Sequence, residues 1–220
     1  GGDQTGGIIG GHRSDKDSNI QVANCHNTAN ITGKDEVGGI VGSLIQGQIY
    51  RCSNKATITG TRSAGGISGC IYGTESYYPN GLVNECFNTG RINAPDKVGG
   101  IVGRFFGWSH ATVKNSYNKG EIGHDGSTSC AGIVGCIDNN AYSRIEYCYS
   151  GGTQRTGWGI AGRYFTMVGS EVTFVKCHYS KESATTDKLD NSDCTKNSNA
   201  GLGTQSNFKG WDFTSPWVMK

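Results

Sequence analysis

The sequence predicts an all-β fold, a β-solenoid (β-helix) of about six coils with a C-terminal cap. Three observations predict it. A glycine phrase recurs at Gly6, Gly38, Gly65, Gly99, Ala131 and Trp158, in steps of 32, 27, 34, 32 and 27 residues. A second phrase built around Cys and Asn follows each copy. Gly supplies 36 of 220 residues, about twice the usual share, and its placement is periodic. A period in this range marks a solenoid, propeller or array. A propeller blade needs about 40 residues and four strands, whereas each copy here holds three short apolar elements, so the solenoid is favoured.

The first element is the glycine phrase itself, Gly6-Gly7-Ile8-Ile9-Gly10 in the first copy. Stacking turns equivalent positions into columns, and side chains alternate between the two faces of a strand. Ile8, Ile40, Ile67, Ile101, Ile133 and Ile160 form a column of one residue type, expected to point inward. The glycines beside it permit tight bends and close backbone approach.

The second element gives three columns. Cys25, Cys52, Cys86, Ser116, Cys148 and Cys177 are read as small core residues, with vertical disulfides such as Cys25–Cys52 as the alternative, since stacked neighbours lie within bridging distance. Asn27, Asn54, Asn88 and Asn118 are expected to form an amide ladder at a corner. Between them lies His26, Ser53, Phe87, Tyr117, Tyr149 and His178, expected by alternation to face outward. Phe87, Tyr117 and Tyr149 thus make an exposed aromatic strip on three consecutive coils, a candidate interaction surface unless residues 181–220 cover it.

The third element is Ile31, Ile58, Ile92 and Ile122. The turn before each glycine phrase gives a charged column, Asp3, Asp35, Arg62, Asp96, Thr128 and Arg155. Opposite signs at neighbouring coils there would fix the register. A second aromatic group follows the glycine phrase: Tyr72, Tyr77, Tyr78, Phe105, Phe106, Trp108, Tyr142, Tyr164 and Phe165. Of these, Tyr77, Tyr78 and Trp108 sit on the longest loops and are the better ligand candidates, because solenoid insertions collect on one face.

The coils end near residue 180. Residues 181–207 are rich in Ser, Thr, Asn, Asp and Lys and read as a polar connection. The stretch 207–220 is aromatic, and Trp211, Phe213 and Trp217 are suited to capping exposed strand edges. The division is therefore 1–180 repeats and 181–220 connection and cap.

Composition narrows the function. Net charge is +2, from 20 basic and 18 acidic residues, with no basic block, so nucleic-acid binding is not expected. No apolar run approaches the ~20 residues that span a bilayer, so no membrane insertion is expected. A chain that opens at Gly1 without a leader is read as a mature or trimmed form. Nine Cys suggest an oxidising compartment. No cofactor or metal is expected. His26 and His178 directly follow a Cys, so each pair points to opposite faces, and no zinc-ribbon spacing occurs. Asp15–Asn19 opens like a calcium loop but has Ile20 at the required Gly and His26 at the required Glu. Neither a phosphate loop nor a hydrolase nucleophile elbow is present, and Asn30-Ile31-Thr32 is a lone glycosylation sequon.

The GG-I-V-G phrases, the C-x-N phrases and the ending Gly210-Trp211-Asp212-Phe213 with Trp217 resemble the GLUG-repeat group over nearly the whole chain. Ala131 and Trp158 depart from it at the first glycine. The resemblance implies a bacterial secreted or cell-surface, non-catalytic module. Such repeats occur in adhesin-like chains and in chains associated with immunoglobulin A-cleaving peptidases. It supplies no catalytic residues. The expected function is surface adhesion or binding of a glycan or host surface protein. A carbohydrate-active β-helix enzyme is the first alternative, with Asp35, Asp96 and Asp138 as its carboxylates. A fibre subunit is the second.

Overall fold

The structure is a computed structural model. It describes residues 1–12, 19–73, 81–107, 110–138, 142–155, 157–165, 171–182 and 194–214. Short parallel strands stack in register into a β-solenoid, and the few helical residues lie at the C-terminal side. One sheet shows the whole stack: Ile9–His12, Val41–Ile45, Ser68–Gly73, Val102–Gly107, Val134–Asp138 and Ala161–Phe165. Its six strands, one per repeat, are joined by five turns of the chain.

The central coils contribute to as many as five sheets rather than to three strands. The glycine phrase splits in two, as in Val37–Gly38 followed by Val41–Ile45. The Cys phrase splits as well, into Gly47–Tyr50 and Ser53–Asn54. The second split has a backbone cause. Asn24, Arg51, Glu85, Asn115, Tyr147 and Lys176, each just before the Cys or Ser of the column, have φ between 48° and 55°. A left-handed residue of this kind costs about 1–2 kcal/mol and persists where its surroundings over-determine it. The corner amides pair upward, with Asn24 N donating to Tyr50 O at 3.1 Å and Tyr147 N to Val175 O at 2.8 Å.

The core lies inside the coils. Ile40, Ile67, Ile101 and Ile133 are fully buried and Ile160 nearly so. Ile8 is the exception to the inward column, at 52% exposure, because it belongs to the first coil, whose strand is the edge of its sheet. A second apolar cluster holds Val37, Ile58, Ala64, Ile92, Ala94, Val98, Ile122 and Cys130. The predicted amide ladder runs unbroken: Nδ2 of Asn27 donates to Oδ1 of Asn54 at 2.7 Å, Asn54 to Asn88 at 2.8 Å and Asn88 to Asn118 at 2.8 Å. This ladder explains the second glycine of the repeat phrase. A Cβ at Gly100 would collide with the carbonyl of Gly132 and the side chain of Asn118.

Stacking continues past residue 180. Cys194–Asn197 pairs with Cys177–Ser180 and sets Cys194 opposite Cys177, adding a seventh rung to the Cys sheet. The stretch 181–207 is therefore not wholly a polar connection. A four-residue helix, Asn199–Leu202, follows, with Ser198 Oγ accepting from Gly201 N at 3.0 Å.

Candidate binding face

Alternation on the Cys sheet does what the sequence implies. Cys86, Ser116 and Cys148 point in, and Phe87, Tyr117 and Tyr149 point out. The three rings stack nearly parallel. Phe87 and Tyr117 have centroids 5.1 Å apart and planes 3° apart, and Tyr117 and Tyr149 are 5.0 Å and 6° apart. Their faces are thus turned to one another along the stack, and their hydrogen-bearing edges look outward.

All three are half-buried, less open than an exposed strip. The C-terminal segment roofs one end. Phe208 meets Tyr149 at 6.1 Å and 70°, and lies 4.4 Å from His178. Trp211 meets His178 at 5.6 Å and 73°, and Tyr147 at 6.1 Å and 76°. Its indole Nε1 donates to Lys176 O at 2.9 Å. Trp211 therefore sits against the side of the solenoid, on the aromatic column, and Phe213 stacks on it at 6.4 Å. Trp217 lies outside the described residues.

Burial tunes this column. Desolvation raises the phenol pKa of Tyr117 and, more strongly, of Tyr149. Desolvation also holds His178 down at about 4, and Asn197 Nδ2 lies 2.8 Å from its Nδ1, which fits a neutral ring accepting there. At the other end His26 Nδ1 is 2.8 Å from Ser53 Oγ.

Tyr77, Tyr78 and Trp108 lie outside the described residues. The rest of the second aromatic group separates by depth. Phe105 is core, Tyr72 and Phe106 are half-buried 5.1 Å apart, and Tyr142 is exposed beside His110.

The sequence did not reveal a second polar feature, a charged row beside the core. Glu36 and Lys97 occupy left-handed turn positions, φ 51° and 52°. Arg104 Nη2 donates to Glu36 Oε1 at 2.6 Å, with both groups buried, and Gln4 Nε2 donates to Glu36 Oε2 at 3.2 Å. The Arg104 guanidinium also lies 4.5 Å over the Phe106 ring. Lys97 Nζ is 3.3 Å from Asp138 Oδ2. No sequence phrase marks this row, because Glu36 and Arg104 are 68 residues apart and belong to different elements of the repeat. The charged turn column is structural: Arg62 reaches Asp35 at 3.4 Å, and Thr128 donates to Asp96 at 2.7 Å.

All nine Cys are free thiols. Cys25 N donates to Cys52 Sγ and Cys52 N to Cys86 Sγ, each at 3.4 Å. Burial pushes the Cys148 thiol well up and carries Cys70 to about 12, so these are not nucleophiles. Among the described residues no group of three or more His, Cys, Asp or Glu is placed to hold a metal ion, and no helix is long and apolar enough to cross a membrane.

No protein-family model matches the chain, and no curated protein matches it. A solved structure does match, a crystal structure of a putative immunoglobulin A1 protease from Bacteroides ovatus. The match has a TM-score of 0.54 at 18% sequence identity and covers 88% of this chain and 69% of that one. At that identity, what this chain shares with the Bacteroides ovatus protein is the fold.

Proposed function

We propose that this chain is a non-catalytic, extracellular binding module that presents a ligand-contacting face on a rigid solenoid. The stacked aromatic column of Phe87, Tyr117 and Tyr149 carries the reading. Large apolar side chains directed away from a core that is already complete are characteristic of an interaction surface, and aromatic residues dominate the energetics of such surfaces. A surface-displayed bacterial module that engages a host protein or glycan accounts for the column and for the resemblance to GLUG-repeat proteins.

The polar row supports the non-catalytic side. A glycosidase needs one carboxyl group held protonated beside one that is ionised. Here Asp138 faces Lys97, Glu36 faces Arg104, and Asp35 faces Arg62. Asp96 in turn accepts from Thr128, so each carboxylate the enzymatic alternative would use is engaged by a neighbouring coil of the solenoid.

The test is a binding screen of the intact chain against host-surface proteins and a glycan array, with Phe87→Ala and Tyr117→Ala as controls. Binding that falls at least tenfold in the variants supports the reading. Absence of any binder, together with new reducing ends released from a polysaccharide panel, would replace it with the enzymatic alternative.

A further inference from the structure

We propose that the seat of Phe208 and Trp211 is a peptide-binding site, and that its external ligand is a polypeptide segment carrying two aromatic side chains three residues apart. The chain's own Gln205–Thr214 segment is the resident occupant. This rests on the binding-module reading and names the partner's chemistry.

The electrostatics of stacked rings select the ligand. An aromatic ring is negative on its faces and positive at its hydrogen-bearing edge. In this column Phe87, Tyr117 and Tyr149 turn their faces to one another, at 5.1 and 5.0 Å, so a partner meets their rims, C–H edges and two phenol groups. A sugar ring approaches an aromatic through its own C–H groups, which carry the same sign as those edges, and the two do not match. A π face does match. The tail supplies that partner: Phe208 on Tyr149, Trp211 on His178 and Trp211 on Tyr147 are edge-to-face pairs, with planes 70° to 76° apart, and Phe208 on His178 and Trp211 on Tyr149 are tilted, at 45° and 49°.

The anchors are also those of a docked peptide. Phe208 and Trp211 are buried to 4% and 8% exposure, whereas Lys209 and Gly210 between them are exposed. Trp211 donates its indole N–H to the backbone carbonyl of Lys176. That carbonyl sits at a left-handed corner, φ 48°, and belongs to the solenoid whatever occupies the seat. The segment's regular structure is one turn of 3-10 helix, Gln205–Asn207. Phe208, Trp211 and the indole hydrogen bond to Lys176 anchor it on the solenoid, and a second segment of the same pattern can take the same places.

The experiment uses the full chain and a synthetic peptide of residues 205–214 with Lys209→Gln, which trypsin does not cut. In the Phe208→Ala/Trp211→Ala chain the seat is vacated, and the peptide is expected to bind at least tenfold more tightly than it binds the unaltered chain. Adding Tyr149→Ala to that chain should abolish the gain. A second measurement needs no destabilised variant: excess peptide added to the unaltered chain should speed tryptic cleavage after Lys209 by displacing the tail. A folded double variant that ignores the peptide, or cleavage unaffected by it, would overturn the proposal and leave the tail a structural cap. Host-protein binding that survives Tyr149→Ala, with no peptide effect, would sink this site while sparing the binding-module reading.

Discussion

Asn54 donates from Nδ2 to Oδ1 of Asn88 at 2.8 Å, and the same two amides close their own corners. Asn88 Nδ2 also donates to Gly90 O at 2.9 Å, and its Oδ1 accepts from Gly90 N at 3.2 Å. Every polar atom of Asn88 is thereby used in a fully buried position. Replacing Asn88 with Ala removes the partners of the Gly90 carbonyl and N–H and takes one of two bonds each from Nδ2 of Asn54 and Oδ1 of Asn118. Each orphaned buried group costs about 1–3 kcal/mol, so Asn88→Ala should lose about 3–5 kcal/mol. Asn27→Ala, at the open end of the ladder, should lose about 1–2 kcal/mol. Urea unfolding of the two variants measures the difference, and equal losses would show that the ladder is not cooperative.

Arg104 and Glu36 allow a separate test of the charged row. Glu36→Ala leaves a buried guanidinium without its carboxylate, and removing one partner of a buried pair costs about 3–5 kcal/mol. Replacing both with uncharged side chains, Glu36→Gln with Arg104→Met, removes the charge and its desolvation together and should fall within about 1–2 kcal/mol of the parent. A double variant as unstable as the single one would mean that shape rather than charge holds this row.

The columns were readable in the sequence because they are chemically uniform. Ile40 through Ile160 repeat at every coil, the Cys column is broken only by Ser116, and Asn holds four consecutive coils; stacking demands that uniformity. What was hidden depends on position within the stack. Ile8 shares the phrase of its relatives but lies in the end coil. Cys194 continues the Cys column, yet it follows a non-repeating stretch and lacks the Asn two residues on. Arg104 occupies a buried position in a column that holds Ser43, Cys70 and Cys136 in neighbouring coils, so nothing in its own repeat signals an ion pair. The aromatic column was legible as outward-facing, but not its ring orientation, which comes from in-register stacking at the strand spacing.

The thiols report on the same architecture. Cys25 and Cys194 are half-buried at the two ends of the Cys column, and the other seven are buried. In the folded protein these two thiols should react first with a thiol reagent, Cys25 slowed because burial raises its pKa, and seven should wait for unfolding, since reaction requires access and thiolate formation. In denaturant without reductant all nine should titrate. A total of seven or fewer would show that neighbouring rungs had bridged.

His178 makes the aromatic seat sensitive to acid. Desolvation lowers its pKa from an ordinary value of 6.5 to about 4. Between those two values the unfolded chain binds a proton that the native chain does not, so protons favour unfolding. The stabilisation is complete above pH 6.5, declines as pH falls from 6.5 towards 4, and declines no further below 4. Other groups titrate in the same range, so the readout is a difference between the parent and His178→Phe. Phe keeps the ring under Phe208 and Trp211 but cannot accept from Asn197 Nδ2. At pH 7 it should therefore be the less stable of the two, by about 1 kcal/mol. The gap should close or reverse by pH 4, because only the parent pays the protonation penalty. Urea midpoints at pH 7, 5.5 and 4 measure it. A gap that stays constant with pH would place His178 in solvent contact, and would remove the buried seat on which the tail rests.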